Sequence, residues 1–386
     1  MKFKLDYICE RITDGSHYSP KAVDNGYPMF SVKDMLEYGF SYDNCKRVDK
    51  VDFEKMKVSG CVPKAGDVLV AKDGSYLKEI FVCREEKEEA ILSSIAIFRP
   101  NQSIISPDFL CYLLKSPRVY NYIKNNCVSG SALPRIVLKE FKKVEVDVPD
   151  IAIQNKIVGL LKCIDDRIML NNQINDNLQE QAMALYSNMI IENADETWTP
   201  GVLSDIATIT MGQSPKGDTY NEDGMGTVFF QGRAEFGFRF PTRRLYTTDP
   251  KRMAQTNDAL MSVRAPVGDM NVAYEECCIG RGLAAIHSKD DHQSFVLYTM
   301  FNLREQLNVF NGEGTVFGSI NKDALNAMSV SIPPKEVIDA FEAIVSPMDE
   351  AIRNNYEEIC RLTEIRDSLL PRLMSGELDV SELVDL

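Results

Sequence analysis

The side chains best suited to chemistry in this 386-residue chain are arginines mixed with aromatic residues and glycines. They lie in QGRAEFGFRFPTRRLY, at residues 231–246. A planar guanidinium group can pair bidentately with a phosphate or with the edge of a guanine, so this composition is typical of nucleic-acid recognition. A basic hairpin that is merely solvated would have the same composition, and the residue types favour neither interpretation. The arginines are Arg233, Arg239, Arg243 and Arg244, and the aromatic residues are Phe236, Phe238, Phe240 and Tyr246.

A second basic stretch, nearer the N-terminus, is rich in lysine instead of arginine. An ammonium group is a point charge without the planar fork of arginine, so lysine clusters suit contacts with the phosphate backbone more than base reading. The residues are Lys46, Arg47, Lys50, Lys55, Lys57 and Lys64, followed by Lys72 and Lys78.

Motifs of enzyme chemistry are missing from the sequence. It has no P-loop, no dinucleotide-binding glycine motif, no nucleophile elbow and no metalloprotease helix. GEGTVFGS, at residues 312–319, resembles a phosphate loop but has the wrong spacing. The ten cysteines include no CxxC, and none of the three histidines lies near a cysteine pair, which favours buried structural cysteines in a reducing compartment. We therefore expect a non-catalytic chain that holds no metal or cofactor.

The elements that must position the basic stretches are organised by an internal repeat. Residues 130–185 match residues 314–369 at a constant offset of 184, and at that offset Asn171 falls on Asn355. Upstream the match is looser. The sequence therefore predicts two tandem copies of one unit, each with a diverged front part and a better-matched back part.

The back part of each copy has the period of a coiled-coil helix. Alternating steps of four and three residues from Ile157 and from Phe341 each give ten positions, of which eight are apolar. We expect two helices of about 35 residues and about 50 Å that pair antiparallel. Asn171 and Asn355 occupy the same seam position, where buried asparagine fixes the register at some cost in stability. Alternatively, these asparagines lie on a solvated edge.

The front parts are predicted to be mixed domains of short strands and helices, which gives an α+β fold with pseudo-two-fold symmetry. The predicted strands are residues 68–72, 91–98, 144–148, 259–263, 283–287 and 328–332. Residues 192–201 are polar and lack a period, so they are predicted to be a linker. The predicted segments are a front domain at 1–148, a helix with linker at 149–197, a front domain at 198–333, and a helix with C-terminal tail at 334–386.

The formal net charge of −14 argues at first against a partner as negative as DNA. The two helical segments, however, carry −13 of that total, whereas residues 1–148 have a net charge of +2 and residues 198–333 a net charge of −3. The acidic total therefore describes the helices and leaves the front domains free to present a basic face.

No signal for a membrane or for secretion is visible. The N-terminus lacks the apolar core and cleavage site of a signal peptide, and no stretch approaches 18 uninterrupted apolar residues. We expect a cytoplasmic protein with no membrane partner.

The order of variable domain, long helix, variable domain and long helix resembles the specificity (S) subunits of type I restriction-modification systems over essentially the whole chain. The most specific matches are VDVPDIAIQNKIVGLLKCIDDRI at residues 146–168 and LLPRLMSGELDV at residues 369–380. TITMGQSPKGDTYN, at residues 208–221, resembles the start of a target recognition domain. The chain departs from the family at the start of its helices, where residues 152–154 are Ala, Ile and Gln and the second copy lacks the glutamine.

The resemblance implies that each front domain is a target recognition domain that reads one half of a bipartite target in double-stranded DNA. It implies that the paired helices hold the half-sites at a fixed spacing and dock two modification (methyltransferase) subunits, which use S-adenosylmethionine. Restriction subunits of such a phage-defence complex use ATP and magnesium. The chain itself would be its non-catalytic subunit.

Charge, loop position and similarity to target recognition domains predict fourteen DNA contacts. Gln231 and Arg233 have side chains that can pair with adenine and guanine edges, respectively. In the first domain the predicted contacts are His17, Lys33, Lys46, Arg47, Lys72, Tyr76 and Arg135. In the second they are Ser214, Lys216, Gln231, Arg233, Arg243, Arg244 and Arg264.

Two other interpretations remain open at the level of sequence. The chain could be the recognition subunit of a different DNA-modification or defence complex with the same layout. A coiled-coil scaffold with two protein-binding domains would explain the acidic total, but it would explain neither the arginine-rich loop nor the C-terminal motif.

Overall fold

The structure of the chain is a computed structural model that describes residues 1–74, 77–129, 134–195, 198–312 and 318–381. Tyr76 and most of the GEGTVFGS stretch lie outside the described residues. The chain forms two compact units. The first unit comprises Met1–Ile168 with Cys360–Leu386, and the second comprises Met169–Ile359. The boundary between the units therefore lies inside each of the two long helices.

Short strands and short helices build the front domain of the first unit. Its strands are β1 Lys2–Lys4, β2 Cys9–Asp14, β3 Tyr27–Phe30, β4 Met35–Leu36, β5 Gly39–Phe40, β6 Lys46–Val48, β7 Val68–Ala71, β8 Ile80–Val82, β9 Ala90–Ile91, β10 Ile95–Pro100, β11 Val128–Ser129, β12 Arg135–Ile136 and β13 Glu145–Asp147. Its helices are α1 Leu5–Ile8, α2 Lys50–Val58, α3 Pro107–Lys115, α4 Pro117–Asn126 and α5 Leu138–Phe141, and the first long helix, α6, follows at Ile151–Tyr186.

The central sheet of the first unit has the strand order β2-β10-β7-β8 and is covered on both faces. On one face, Val68, Val70 and Phe98 pack with α3, and on the other, Leu69 and Ile97 pack in a separate cluster. Because side chains alternate between the faces of a strand, burial on both faces explains why β7 and β8 are apolar at every position. A smaller sheet has the strand order β6-β3-β9 and contains one parallel pair, β3 with β9.

The front domain of the second unit has the same kinds of element. Its strands are β14 Thr199–Val202, β15 Ala207–Met211, β16 Tyr220–Asn221, β17 Thr227–Phe230, β18 Leu245–Thr247, β19 Met253–Ala254, β20 Ala259–Ser262, β21 Met270–Val272, β22 Cys277–Ile279, β23 Leu283–Ser288 and β24 Ser329–Ile332. Its helices are α7 Leu203–Ile206, α8 Gln293–Asn302, α9 Arg304–Leu307 and α10 Lys322–Asn326, and the second long helix, α11, follows at Lys335–Ser375.

The two front domains share the topology of their central sheet, whereas the smaller sheet has five strands, β16-β18-β17-β22-β19, in the second domain. The second central sheet has the order β15-β23-β20-β21, which repeats the order of the first, and the parallel pair β3 with β9 recurs as β17 with β22. Both units mix helices and strands, as predicted. The internal repeat that is visible in the sequence therefore extends into the diverged front parts, where the sequence match is loose.

Two expectations from the sequence are corrected by the structure. Residues 91–98 are not one strand, because β9 ends at Ile91 and β10 begins at Ile95. The short loop between them exchanges backbone hydrogen bonds with neighbouring loops, and apolar composition cannot reveal such a break. The predicted linker at 192–201 also ends in regular structure, since Thr199–Val202 forms β14 and pairs antiparallel with β24.

Burial along the long helices follows the predicted period of 3.5 residues. Every seam position that steps from Ile157 and from Phe341 is buried or half-buried. Within the second unit, Asn355 Nδ2 donates to Asn175 Oδ1 (2.9 Å) and Asn171 Nδ2 to Glu358 Oε2 (2.9 Å). Asn171 is fully buried, which excludes a solvated edge for it.

Candidate nucleic-acid interface

In the first domain, four loops are held side by side by backbone hydrogen bonds at the ends of the strands. Three of the loops follow β2, β3 and β7, and the fourth connects β9 to β10. Because backbone groups make these bonds, the framework does not depend on the side chains that the loops carry. The bonds run from Gly15 N–H to Ile95 O (3.1 Å), Ser16 N–H to Ile91 O (2.8 Å), Leu92 N–H to Phe30 O (2.8 Å) and Lys72 N–H to Ser94 O (2.9 Å).

The second domain repeats this loop framework bond for bond. Its four loops follow β15, β17 and β20 and connect β22 to β23. The bonds run from Gly212 N–H to Leu283 O (2.9 Å), Gln213 N–H to Ile279 O (3.0 Å), Gly280 N–H to Phe230 O (2.8 Å) and Val263 N–H to Gly282 O (2.9 Å). These equivalent hydrogen bonds align the loops of the two domains residue by residue. The residues at equivalent positions are His17 and Ser214, Lys33 and Arg233, Ser93 and Arg281, and Asp73 and Arg264.

Gly212 marks the closest approach between two of these loops. A Cβ at Gly212 would lie 2.2 Å from the Gly280 carbonyl oxygen. We expect Gly212→Ala to destabilise the second unit by about 1–3 kcal/mol, because the crowded backbone must shift. Denaturation followed by the fluorescence of Trp198, the single tryptophan, would measure the loss, since Trp198 packs against the core of this unit. Gly217→Ala is the matched control, because a Cβ there meets nothing within 4 Å. Equal losses would contradict the prediction.

Three predicted DNA contacts of the first domain meet in a cluster of alternating charge. Lys72 is 8% exposed, and its ammonium nitrogen lies 2.9 Å from Asp14 and 3.8 Å from Asp73. The exposed His17 lies 3.3 Å from the same Asp14, and the exposed Arg135 lies 3.5 Å from the same Asp73. Lys72 is therefore placed to hold the loops together, while His17 and Arg135 stand at the surface.

The other predicted contacts of the first domain border the same loops. Lys33 is exposed on the turn after β3, and the Val32 N–H of that turn donates to Ser94 Oγ (3.0 Å). Lys46 and Arg47 lie on β6 and each donate a hydrogen bond to the segment that follows β2. Those bonds join Lys46 Nζ to Ser19 Oγ (2.8 Å) and Arg47 Nη1 to Gly26 O (2.9 Å).

In the second domain, four predicted contacts lie on the loop framework itself. Gln231, Lys216 and Arg264 are exposed. Ser214 is half-buried, and its Oγ accepts a hydrogen bond from the Arg281 N–H (3.3 Å). Neither the Arg264 guanidinium nor the Gln231 carboxamide has a hydrogen-bond or ion-pair partner among the described residues. Both side chains can therefore bind a ligand.

The remaining predicted arginines are already paired with carboxylates. Arg233 and Arg304 share one aspartate, Asp269. Arg243 also lies over the Tyr274 ring, 5.4 Å from its centroid, and the Tyr274 hydroxyl donates to Glu357 on α11 (2.7 Å). The pairs are Arg233 with Asp269, Arg243 with Glu275, and Arg244 with Glu222 and Glu235.

Arg239, in the middle of the arginine-rich stretch, does not belong to the surface. It is 4% exposed, and its Nη2 donates to Asp349 on α11 (2.7 Å) and to the Tyr298 hydroxyl (2.9 Å). Burial raises the pKa of Tyr298, so its hydroxyl stays protonated and donates to Asp349 (3.0 Å). Arg239 therefore anchors the second domain to its long helix.

Two arginines at the interface escaped the sequence analysis. Arg281 is exposed on the loop between β22 and β23, and Arg304 contacts Asp269 through a 3.6 Å ion pair. Neither lies in a stretch of high charge density, so the surrounding sequence does not single them out. The Gly280–Gly282 triplet, a single arginine between two glycines, was the signal available for Arg281.

The described part of the chain also bears on cofactors and membranes. No group of three or more His, Cys, Asp or Glu side chains that could hold a metal ion occurs among the described residues. No described helix is long and apolar enough to span a membrane. All ten cysteines are free, and burial raises the pKa of both Cys9 and Cys277 to about 12.

Comparisons with known proteins give a consistent result. A family model described as type I restriction modification DNA specificity domain matches residues 1–180 and again residues 195–361. A candidate specificity subunit of the type I restriction enzyme MjaX from Methanocaldococcus jannaschii is 28% identical, with 98% of this chain and 93% of that protein covered. The HindI specificity subunit from Haemophilus influenzae is 23% identical, with 92% and 95% covered. The crystal structure of a type I restriction-modification S subunit from M. genitalium has the same fold, with a TM-score of 0.58, 16% identity, and 99% and 96% covered.

Proposed function

Because the chain belongs to the family of type I restriction modification DNA specificity domains, we propose that it is the DNA recognition subunit of a type I restriction-modification complex. Each front domain reads one half of a bipartite target in double-stranded DNA. The chain performs no catalysis. Methylation and cleavage belong to modification and restriction subunits, which bring S-adenosylmethionine, ATP and magnesium.

This proposal rests on the loop framework, which recurs in both domains while the side chains on its loops differ between them. Backbone hydrogen bonds hold the four loops in the same way in both domains, while the side chains at equivalent positions differ, as in the half-buried Asp73 against the exposed Arg264. Two different half-sites require two surfaces of the same shape with different donors and acceptors. A scaffold with two protein-binding domains gives no reason for that combination.

We further propose that α6 and α11 pair as an antiparallel coiled coil that sets the spacing of the half-sites and docks two modification subunits. The burial period of 3.5 residues supports the coiled coil. The helical segments carry most of the negative charge, so they suit protein partners better than phosphates. Exposed apolar side chains between the acidic ones, such as Leu170, Met183, Ile344 and Ile365, provide contact surface.

Methylation mapping tests the proposal most directly. The chain is produced together with its neighbouring modification subunit, and the DNA of the host is sequenced by a method that detects modified bases. We expect one bipartite motif with a spacer of fixed length. A contiguous motif, or no modification that depends on the chain, would reject the proposal. Binding to DNA should also weaken steeply as salt rises, because phosphate contacts release counterions.

Arg233→Ala is expected to relax recognition of the second half-site alone, since Arg233 is exposed on the loop after β17. Loss of one bidentate contact costs about 1–3 kcal/mol of discrimination. Methylation mapping with the variant should show one degenerate position in one half-site. Lys335→Ala, which removes an exposed charge at the start of α11, should leave the motif unchanged. An unaltered motif with Arg233→Ala would discard this residue as a base contact.

A further inference from the structure

We propose that Arg281 is a specificity-determining residue of the second domain and that it reads a guanine in the second half-site. This inference rests on the proposed function and deepens it, because it names the chemistry of one position in the target. It concerns a residue outside the arginine-rich stretch.

The loop that carries Arg281 is fixed by the two glycines beside it. A Cβ at Gly280 would lie 2.8 Å from Gln231 Cα, and a Cβ at Gly282 would lie 2.8 Å from the Gln231 carbonyl oxygen. Only glycine permits such close packing of two backbones. The glycines therefore place the exposed residues Arg281 and Gln231 on two loops whose backbones are in contact.

Two further loops complete the surface around Arg281. The Arg281 N–H donates to Ser214 Oγ (3.3 Å), and the Gly282 carbonyl oxygen accepts from the Val263 N–H (2.9 Å), one residue before Arg264. Arg281 thus lies at the junction of the loops that carry Ser214, Gln231 and Arg264. A site that is built from several backbone-bonded loops holds its side chains in defined positions, as base reading requires.

The lack of an ion-pair partner among the described residues distinguishes Arg281 from the arginines of residues 231–246. Arg233, Arg243 and Arg244 are each held by carboxylates, and a ligand would have to displace these. Among the described residues, Arg281 has no ion-pair partner, and the same is true of Arg264. A free guanidinium fork matches the O6 and N7 acceptors of guanine in the major groove.

The first domain lacks this chemistry at the equivalent loop. Ser93 stands at the position of Arg281, and Leu92 and Ser94 replace the two glycines. Asp73, which pairs with Arg135, stands at the position of Arg264. Guanine reading by this loop is therefore confined to the second half-site.

The test compares Arg281→Ala and Arg281→Lys in the complex with the modification subunit. Lysine keeps the charge that a phosphate contact needs but loses the planar fork. We expect both variants to lose discrimination at the same single guanine position of the second half-site. Affinity for the wild-type target should fall roughly 10- to 100-fold, with the first half-site unchanged. Methylation mapping and binding titrations at fixed salt measure both effects.

Three outcomes would overturn the inference. Full discrimination by Arg281→Lys would make Arg281 a phosphate contact. An unchanged motif with Arg281→Ala would exclude it from recognition, and an affected base other than guanine would exclude guanine reading. Arg252→Ala, an exposed arginine outside the four loops, is the matched control and should have no effect. Unfolding followed by Trp198 fluorescence verifies that each variant is folded. If the wild-type complex itself yields no bipartite motif, the proposed function fails instead.

Discussion

Asp349→Ala is expected to lower the free energy of unfolding of the second unit by about 3–5 kcal/mol. Asp349 lies on α11 and accepts hydrogen bonds from Arg239 (2.7 Å) and Tyr298 (3.0 Å). Arg239 is 4% exposed, and its Nη1 already lacks a hydrogen-bond partner among the described residues. Without the carboxylate, a buried guanidinium would keep its charge and lose the anion that pairs with it.

A double substitution separates the lost ion pair from lost packing. Arg239→Met combined with Asp349→Leu removes both charges and keeps comparable volume, so it should recover most of the stability. Asp339→Ala is the control on the same helix, because Asp339 is about half exposed where it pairs with Lys335 and His292 and should matter far less. Chemical denaturation followed by Trp198 fluorescence measures all three proteins. A loss in Asp349→Ala no larger than in the control would contradict the prediction.

The long helices and the repeat could be read from the sequence because both are periodic. A seam of apolar residues every 3.5 positions leaves few alternatives to a helix that buries one stripe. The helical segments predicted to begin at residues 149 and 334 contain helices that begin at Ile151 and Lys335. The constant offset between the copies then predicted that whatever fold the first copy adopts, the second adopts too.

The loop framework could not be read from the sequence because backbone groups make it. Its bonds leave no pattern of side chains, and the break at residues 92–94 lies inside a run that looks like one strand. The charge density of the sequence likewise indicates how many arginines lie close together, but not which of them lack an ion-pair partner. It therefore pointed to Arg233, which is paired with Asp269, and not to Arg281, which has no ion-pair partner among the described residues.

Burial also decides what a positive charge can do. Lys72 and Arg239 belong to basic stretches whose composition suits contacts with phosphate groups. Both side chains, however, are buried and form ion pairs with aspartates. A charge that compensates a buried carboxylate stabilises the domain and is not free for a ligand. Fewer positively charged side chains are consequently free for a ligand than the composition indicates.

The largest functional change is expected from inserting one heptad into each long helix, after Ile168 and after Ile359. Both residues are seam positions, so seven added residues preserve the period of 3.5 in each helix. Each helix becomes about 10 Å longer at 1.5 Å per residue. If the helices set the spacing of the half-sites, that length corresponds to about three base pairs.

Methylation mapping of the variant should therefore show both half-sites unaltered and a spacer that is about three base pairs longer. A heptad inserted into only one helix is the matched control. It shifts the two seams against each other across the insertion, so that the Asn355–Asn175 pair of the second unit and the Arg366–Asp165 pair of the first cannot both form along continuous helices, and methylation should be lost. If the spacer stays the same length with both insertions in place, the helices do not determine it, and the two domains must be positioned by the modification subunits instead.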